Sequence, residues 1–279
     1  MLSPAPSPKP TPAWRYVVPN AITSASMIVG LLVMVAAIDG RFEDAGWLIV
    51  LCVLLDKLDG TAARLLGASS RFGTQLDSLA DLVVFGVAPA MTIMRFAQAH
   101  EDMFGVWLSW TWSWLFYAAL ALFVVCSALR LAKFNVMAES PKRGPQVFFG
   151  MPTTLAGGLI GLFLLIGLEH ELDGLLRALP LIALVFGLLM VSNLPLPKVA
   201  KRETAVGNWF QMINLVLCYA CGFARVFPEY LLAVTLGYAG VGFIYGLVHR
   251  EELRVGLRPE PEAEDEHDEP QLTESAAHG

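Results

Sequence analysis

Four aspartates interrupt otherwise apolar stretches of the sequence in two regularly spaced pairs. Asp56 and Asp59 lie three residues apart, and Asp77 and Asp81 lie four apart. On an α-helix, either spacing puts both side chains on one face. Carboxylates in an apolar environment are costly and usually functional, and several that converge need a cation between them. An all-oxygen donor set favours Mg²⁺ or Mn²⁺ over Zn²⁺.

The residues around these pairs favour a phosphate-bearing ligand, because protein-bound magnesium commonly combines a few carboxylates with substrate phosphates. Gly60 and Gly73 would let a ligand approach the backbone closely. Ala63 keeps the same face open, and Arg64 offers a planar guanidinium suited to phosphate oxygens. Two alternatives remain at this point. The glycines could serve helix packing, and the carboxylates could line the path of an ion or solute transporter.

Membrane-spanning helices are the elements expected to position these residues. The chain is 56% hydrophobic and 16% charged, whereas soluble domains carry about 25% charged residues. Apolar runs of about 20 residues, long enough to cross a bilayer, recur along the chain. We therefore predict an all-α, polytopic membrane helix bundle. Its eight spans are expected at about 17–38, 45–66, 75–97, 108–130, 149–168, 175–194, 207–227 and 229–248.

The distribution of basic residues predicts the orientation of the bundle. Lys and Arg concentrate in the N-terminal tail, in the loops after the second, fourth and sixth spans, and after the last span. By the positive-inside rule, these segments and both termini face the cytoplasm. The second and third spans carry the aspartates and are expected to be antiparallel neighbours, joined by a short polar turn. The acidic cluster should then lie at the cytoplasmic side of the membrane.

The predicted spans and the composition of the two tails divide the chain into four regions. Residues 1–16 form a proline-rich cytoplasmic tail, and residues 17–200 form a core of six helices. Two additional helices occupy 201–250. Residues 251–279 form a polar, acidic tail without large aromatic residues, which predicts disorder.

The spacing D-x2-D-G-x2-A-R-x8-G-x3-D-x3-D resembles the signature of the CDP-alcohol phosphatidyltransferase family. All eight fixed positions match, namely Asp56, Asp59, Gly60, Ala63, Arg64, Gly73, Asp77 and Asp81. The resemblance implies that the four aspartates hold two Mg²⁺ or Mn²⁺ ions at the pyrophosphate of a CDP-lipid. It also implies that Asp81 is the general base for the attacking alcohol, that CMP is released, and that the enzyme is a homodimer.

The resemblance further implies a nucleotide site beside the metal ligands. In the first span, the segment from Pro19 to Thr23 is similar to an N-x2-T element that completes the cytidine pocket. Taken alone, Asn20 and Thr23 would be a hydrogen-bonded polar pair near a helix start. The full predicted CDP-binding set is Asn20, Thr23, Gly60, Ala63, Arg64, Ser70 and Gly73.

Segments outside the motif resemble bacterial phosphatidylserine synthases, a branch of the same family, and imply L-serine as the acceptor alcohol. These segments are DSLADLVVFGVAPA (77–90), SALRLAKFNV (127–136), FFGMPTTLAGG (148–158) and VSNLPLPK (191–198). The third departs from the more usual Pro-Ser-Pro-Ala-like continuation, because the chain reads Met-Pro-Thr-Thr at 151–154. That departure weakens the serine assignment more than it weakens the reaction class.

Serine as an acceptor needs a cation for its carboxylate. Arg130, Lys133 and Asn135 lie at the predicted cytoplasmic end of the fourth span and form the predicted acceptor site. Ordinary positive-inside anchoring is the alternative for the two cations. Choline, inositol and glycerol 3-phosphate remain alternative acceptors, although choline would need an aromatic cage.

Overall fold

The computed structural model describes residues 14–67, 70–139, 147–192, 195–197 and 205–248. Almost all of them are helical, which confirms the predicted all-α membrane class. The helices are α1 (Trp14–Ile38), α2 (Phe42–Leu66), α3 (Arg71–Asp81), α4 (Ala88–Ala99), α5 (Glu101–Leu108), α6 (Ser113–Glu139), α7 (Thr153–Glu169), α8 (Asp173–Val191), α9 (Ala205–Ala224) and α10 (Pro228–Val248). Two short strands, β1 (Val147–Phe149) and β2 (Pro195–Pro197), were not predicted.

A π-helical turn, Leu82–Val87, joins α3 to α4, so that Arg71–Ala99 is one continuous helical segment. The turn begins directly after Asp81. Single π-turns inside α-helices are frequent at functional sites, because they shift the side chains that follow relative to those before.

Four helical segments in the described part of the chain are long and apolar enough to cross a membrane. They are Trp14–Ile38, Arg71–Ala99, Ser113–Met137 and Asp173–Val191. The apolar stretches Thr153–Glu169, Gln211–Ala224 and Pro228–Ile244 are shorter. The chain is therefore an integral membrane protein, whereas the division into six core spans and two additional ones stays a prediction.

Helix α7 lies at the centre of the bundle, and 12 of its 17 residues are buried. Its glycines allow the close approach of two other elements. A Cβ on Gly157 would lie 2.7 Å from the Phe85 carbonyl oxygen, in the π-turn. A Cβ on Gly161 would lie 2.9 Å from the Ile49 side chain, on α2. Small residues at these positions therefore set the spacing between α7 and the two segments that carry the aspartates.

The expected antiparallel neighbours, α2 and α3, make little direct contact among the described residues. Helix α1 instead packs along α2 and also against α3, the π-turn and α4. Gly30 is a point of close approach, because a Cβ there would lie 2.7 Å from Val84 in the π-turn. Helix α1 is thus the helix that packs against both acidic segments, and the antiparallel arrangement of the second and third spans stays a prediction.

A two-stranded antiparallel ribbon fixes the start of α7. Strand β1 pairs with β2, with Val147 opposite Pro197. Gly150 follows with a φ of +77°, and a Cβ on it would collide with the Met190 carbonyl oxygen. The Met151 amide then donates to the Leu189 carbonyl at 3.0 Å. The chain therefore enters α7 against the end of α8, in a geometry that only glycine accommodates without strain.

The last two helices dock on the rest of the bundle. Tyr219 of α9 donates to the Leu54 carbonyl of α2 at 3.1 Å, and α10 packs against α7 and β2. At the opposite end of α2, Arg225 and Asp44 form an ion pair at 2.9 Å. Several predictions lie outside the described residues: nearly all of the tail 1–16, the basic loop positions Lys142, Arg143, Lys198, Lys201 and Arg202, and the acidic tail 251–279.

Replacing Gly157 with Ala should destabilise the bundle, because the new methyl group would meet backbone atoms of Phe85. Overpacking of this kind typically costs about 1–3 kcal/mol. We expect a lower apparent unfolding temperature for Gly157→Ala in detergent. Gly237→Ala is the matched control, because a Cβ at Gly237 meets open space and Ala favours a helix. Equal unfolding temperatures for the two variants would contradict the close contact between α7 and the π-turn.

Candidate active site

Three aspartates form a compact cluster between α2 and α3. One carboxylate oxygen from each of Asp56, Asp59 and Asp77 can be chosen so that all three lie within 4.8 Å of one another. Asp59 is buried, with 5% of its surface exposed. An all-oxygen set at this spacing, in an apolar bundle, fits a divalent cation such as Mg²⁺ or Mn²⁺. Among the described residues, these three carboxylates are the group that the tertiary structure assembles for a metal ion.

Helix α1 supports this cluster through a hydrogen bond. The Thr23 hydroxyl is buried and lies 2.8 Å from Asp59 Oδ2 and 3.1 Å from the Pro19 carbonyl oxygen. A hydrogen bond to a ligating carboxylate orients it and restricts its motion. Thr23 was predicted in the nucleotide set. Its hydrogen bond joins it to a carboxylate of the metal cluster.

Asn20, Ser70 and Gly73 meet where α3 begins. Ser70 is the N-cap of α3, and its Oγ accepts from the Gly73 amide at 2.9 Å. A Cβ on Gly73 would lie 3.2 Å from Asn20 Oδ1. A side chain at position 73 would therefore crowd both neighbours. All three were predicted to belong to one nucleotide site, and they lie close together in the structure.

The other predicted nucleotide residues lie in the last turns of α2. Arg64 is exposed, and its guanidinium donates to Thr61 Oγ1 at 3.1 Å. Around Gly60, the nearest atom to an added Cβ is Arg64 Nη1, at 3.5 Å. Ala63 is half-buried one residue before Arg64. These residues form an accessible edge of α2, adjacent in sequence to Asp59.

Asp81 lies beside the cluster. It is not one of the three grouped carboxylates. Its side chain interacts with that of Asp56 and electrostatically with Arg130 of α6. Asp81 therefore lies one turn beyond Asp77, within electrostatic reach of both the acidic cluster and a cation.

The predicted acceptor residues occupy three different surroundings. Arg130 is half-buried and donates to Thr153 Oγ1 at 3.3 Å. Asn135 Nδ2 donates to Ser78 Oγ at 2.9 Å and so ties α6 to α3 beside Asp77. Lys133 is exposed on α6. Arg130 is thus the member of this set that faces the aspartates.

Three site residues were not predicted. Thr153 contacts Arg130, and the Thr154 side chain interacts with Asp56. Lys57 Nζ lies 3.9 Å from Asp56 Oδ2, on an exposed side chain. The two threonines belong to the segment where the chain departs from the pattern it resembles, and that departure was the available signal. Lys57 stands between two motif aspartates.

Comparison with known proteins agrees with the geometry. A family model described as CDP-alcohol phosphatidyltransferase matches residues 16–217, most of the chain. A CDP-diacylglycerol–serine O-phosphatidyltransferase of Helicobacter pylori (strain ATCC 700392 / 26695) is 34% identical over 236 residues, covering 84% of this chain and 90% of that protein. The Bacillus subtilis (strain 168) protein of the same name is 34% identical over 195 residues, covering 69% and 98%. The one from Methanocaldococcus jannaschii is 30% identical over 227 residues, covering 81% and 90%.

Removing the Thr23 hydroxyl should weaken metal binding, because Asp59 loses the hydrogen bond that orients it. Loss of such a partner typically costs about 10–100-fold in metal affinity or activity. We expect Thr23→Val to raise the Mn²⁺ concentration at which half of the metal-induced thermal stabilisation is reached, and Thr23→Ser to preserve it. An unchanged Mn²⁺ midpoint, with a raised KM for the CDP-lipid at saturating metal, would instead assign Thr23 to the nucleotide.

Proposed function

Because the matched region spans most of its length, the chain belongs to the CDP-alcohol phosphatidyltransferase family, and we propose that it transfers a phosphatidyl group from CDP-diacylglycerol to L-serine. The products would be phosphatidylserine and CMP. The observation that carries this proposal is the cluster of Asp56, Asp59 and Asp77, with Asp81 and Arg130 directly beside it. Serine as the acceptor is further supported by the names of the relatives, which cover most of this chain.

The acidic cluster and the adjacent edge of α2 would bind the CDP-lipid donor. Two Mg²⁺ or Mn²⁺ ions held by Asp56, Asp59, Asp77 and Asp81 would supply positive charge to the pyrophosphate oxygens and to the leaving CMP. The exposed guanidinium of Arg64 is available for phosphate oxygens. The nucleotide would lie against Gly60, Ala63 and Gly73, whose small side chains leave room for it, near Asn20 and Ser70.

The acceptor half needs a base and a carboxylate partner. As the serine oxygen forms its bond to the phosphorus that carries diacylglycerol, and the bond from that phosphorus to CMP breaks, Asp81 takes the hydroxyl proton. Arg130 would bind the serine carboxylate, since a guanidinium matches a carboxylate in a two-pronged geometry. Both groups interact electrostatically with each other and with Asp56. Lys133 and Asn135 would complete the acceptor site from the same helix.

The surroundings of the reaction follow from the same helices. The lipid chains of donor and product would stay in the bilayer, beside the exposed apolar faces of the bundle. The active site would lie at the cytoplasmic side of a bacterial inner membrane, where serine and CMP are accessible from water. The functional unit is proposed to be a homodimer.

An acceptor panel tests the proposed function. Purified protein with CDP-diacylglycerol and Mn²⁺ or Mg²⁺ would be offered serine, choline, inositol and glycerol 3-phosphate, with CMP release as the measurement. We expect turnover with serine to exceed turnover with each of the others by at least about tenfold, because only serine presents a carboxylate to Arg130. Equal or faster turnover with choline would overturn serine as the acceptor. Ion flux across liposomes without any nucleotide would instead favour a transporter.

Asp81→Asn tests the proposed general base. General base catalysis contributes typically about 10²–10⁴-fold to a rate, so we expect kcat to fall by that range. Because Asp81 is also proposed to help hold the two metal ions, kcat is measured at saturating Mn²⁺, where weaker metal binding no longer limits turnover. Asp44→Asn, at the other end of α2, is the control and should keep its turnover. Full turnover in Asp81→Asn would exclude this residue as the base.

A further inference from the structure

The start of α7 reaches both halves of the proposed site through two adjacent threonines. Thr153 Oγ1 accepts a hydrogen bond from Arg130 Nη1 at 3.3 Å. The side chain of the next residue, Thr154, interacts with the Asp56 carboxylate. One helical turn thus contacts a cation from α6 and a carboxylate from α2. Asp56 is expected to act at the CDP-lipid, whereas Arg130 is expected to bind the acceptor alcohol.

We propose that Thr153 and Thr154 are positioning residues, and that Thr153 sets acceptor specificity by aiming Arg130 while Thr154 orients Asp56 in the metal cluster. This inference rests on the proposed function for the part that concerns serine. It adds that the first turn of α7 positions one group of the donor site and one group of the acceptor site.

Two neighbours restrain the guanidinium of Arg130. Thr153 is wholly buried, so its hydroxyl holds a fixed position. The centre of the Phe134 ring lies 5.7 Å from the guanidinium carbon. A guanidinium has five N–H donors, so the bond to Thr153 leaves donors for a carboxylate. A swing of this group would misalign the two-pronged match that distinguishes serine from acceptors without a carboxylate.

The surroundings of Asp56 call for a similar restraint. Lys57 Nζ lies 3.9 Å from Asp56 Oδ2 on an exposed, flexible side chain. An exposed ammonium is a weak positioning partner. The Thr154 hydroxyl comes from a helix whose start is held by the β-ribbon and by the Met151 amide bonded to Leu189. It is therefore the partner that keeps the Asp56 carboxylate aimed at the cluster.

The rigidity of this turn comes from Gly150. Its φ of +77° and its contact with the Met190 carbonyl fix where the chain enters α7. The segment 151–154 departs from the pattern seen in similar sequences, yet both of its threonines bond site residues. The hydroxyl groups at these positions, rather than the rest of the segment, are what the site uses.

Isosteric variants test the two hydroxyls separately. A hydrogen bond to a charged group is worth enough to change binding about tenfold or more. We expect Thr153→Val to raise the KM for serine about tenfold, with kcat and the KM for CDP-diacylglycerol within about twofold, and Thr153→Ser to restore it. Thr154→Val should raise the midpoint of Mn²⁺-induced thermal stabilisation about tenfold, with the serine KM at saturating Mn²⁺ within about twofold.

Thr92→Val is the matched control. Thr92 is wholly buried, and its hydroxyl donates within its own helix to the Ala88 carbonyl at 2.8 Å. It should leave both the serine KM and the Mn²⁺ midpoint unchanged. If Thr153→Val lowers kcat without raising the serine KM, or if Thr153→Ser does not restore it, the role of Thr153 is overturned. An unchanged Mn²⁺ midpoint in Thr154→Val overturns the role of Thr154.

Failure of the proposed function would appear separately, in the wild-type enzyme. A wild type that turns over another acceptor and not serine overturns the serine assignment, and the role of Thr153 with it. The Mn²⁺ midpoint of Thr154→Val is measured without an acceptor, so it would still test the role of Thr154.

Discussion

Repulsion among carboxylates in an apolar bundle is the constraint on which the rest of this structure depends. Asp56, Asp59 and Asp77 can bring oxygens within 4.8 Å of one another. At an effective dielectric constant near 20, like charges at that distance repel by roughly 3–4 kcal/mol per pair. Such a cluster is tolerable when a cation binds it and neighbouring donors hold each carboxylate in place. The hydrogen bond from Thr23, the interaction of Thr154 with Asp56, and the nearby cations Lys57 and Arg130 fit that requirement.

The bundle holds these donors by close packing around α7. Glycines on this helix let the π-turn and α2 approach within van der Waals contact. Both segments that carry the aspartates therefore pack against the same central helix. The ribbon and the positive φ of Gly150 fix the end of α7 that meets the site. Rigid support of this kind matters for a transferase, because a misplacement of about 1 Å in a reacting group can cost on the order of 10²-fold in rate.

The last two helices add support at a distance from the chemistry. The Tyr219 hydroxyl bonds the Leu54 carbonyl, two residues before Asp56, and Gly222 lets α9 lie close to Leu54. At the other end of α2, Asp44 pairs with Arg225. Helix α2 is therefore contacted near its middle and near its start by α9 and the residue that follows α9, although the fixed positions of the motif lie in α2 and α3.

Local patterns by themselves determined the helical class, the approximate positions of the helices and the identity of the four aspartates. Hydrophobic runs and motif spacing are local properties, so no contact information was needed. The partners of the aspartates were decided by the tertiary structure alone: Thr23 bonds Asp59, Thr154 interacts with Asp56, and Asp81 is not one of the grouped three. The same holds for α1, rather than α3, as the main neighbour of α2, and for the unpredicted ribbon. These pairings join residues far apart in sequence, and they depend on how closely glycines let helices approach, which periodicity along one chain does not encode.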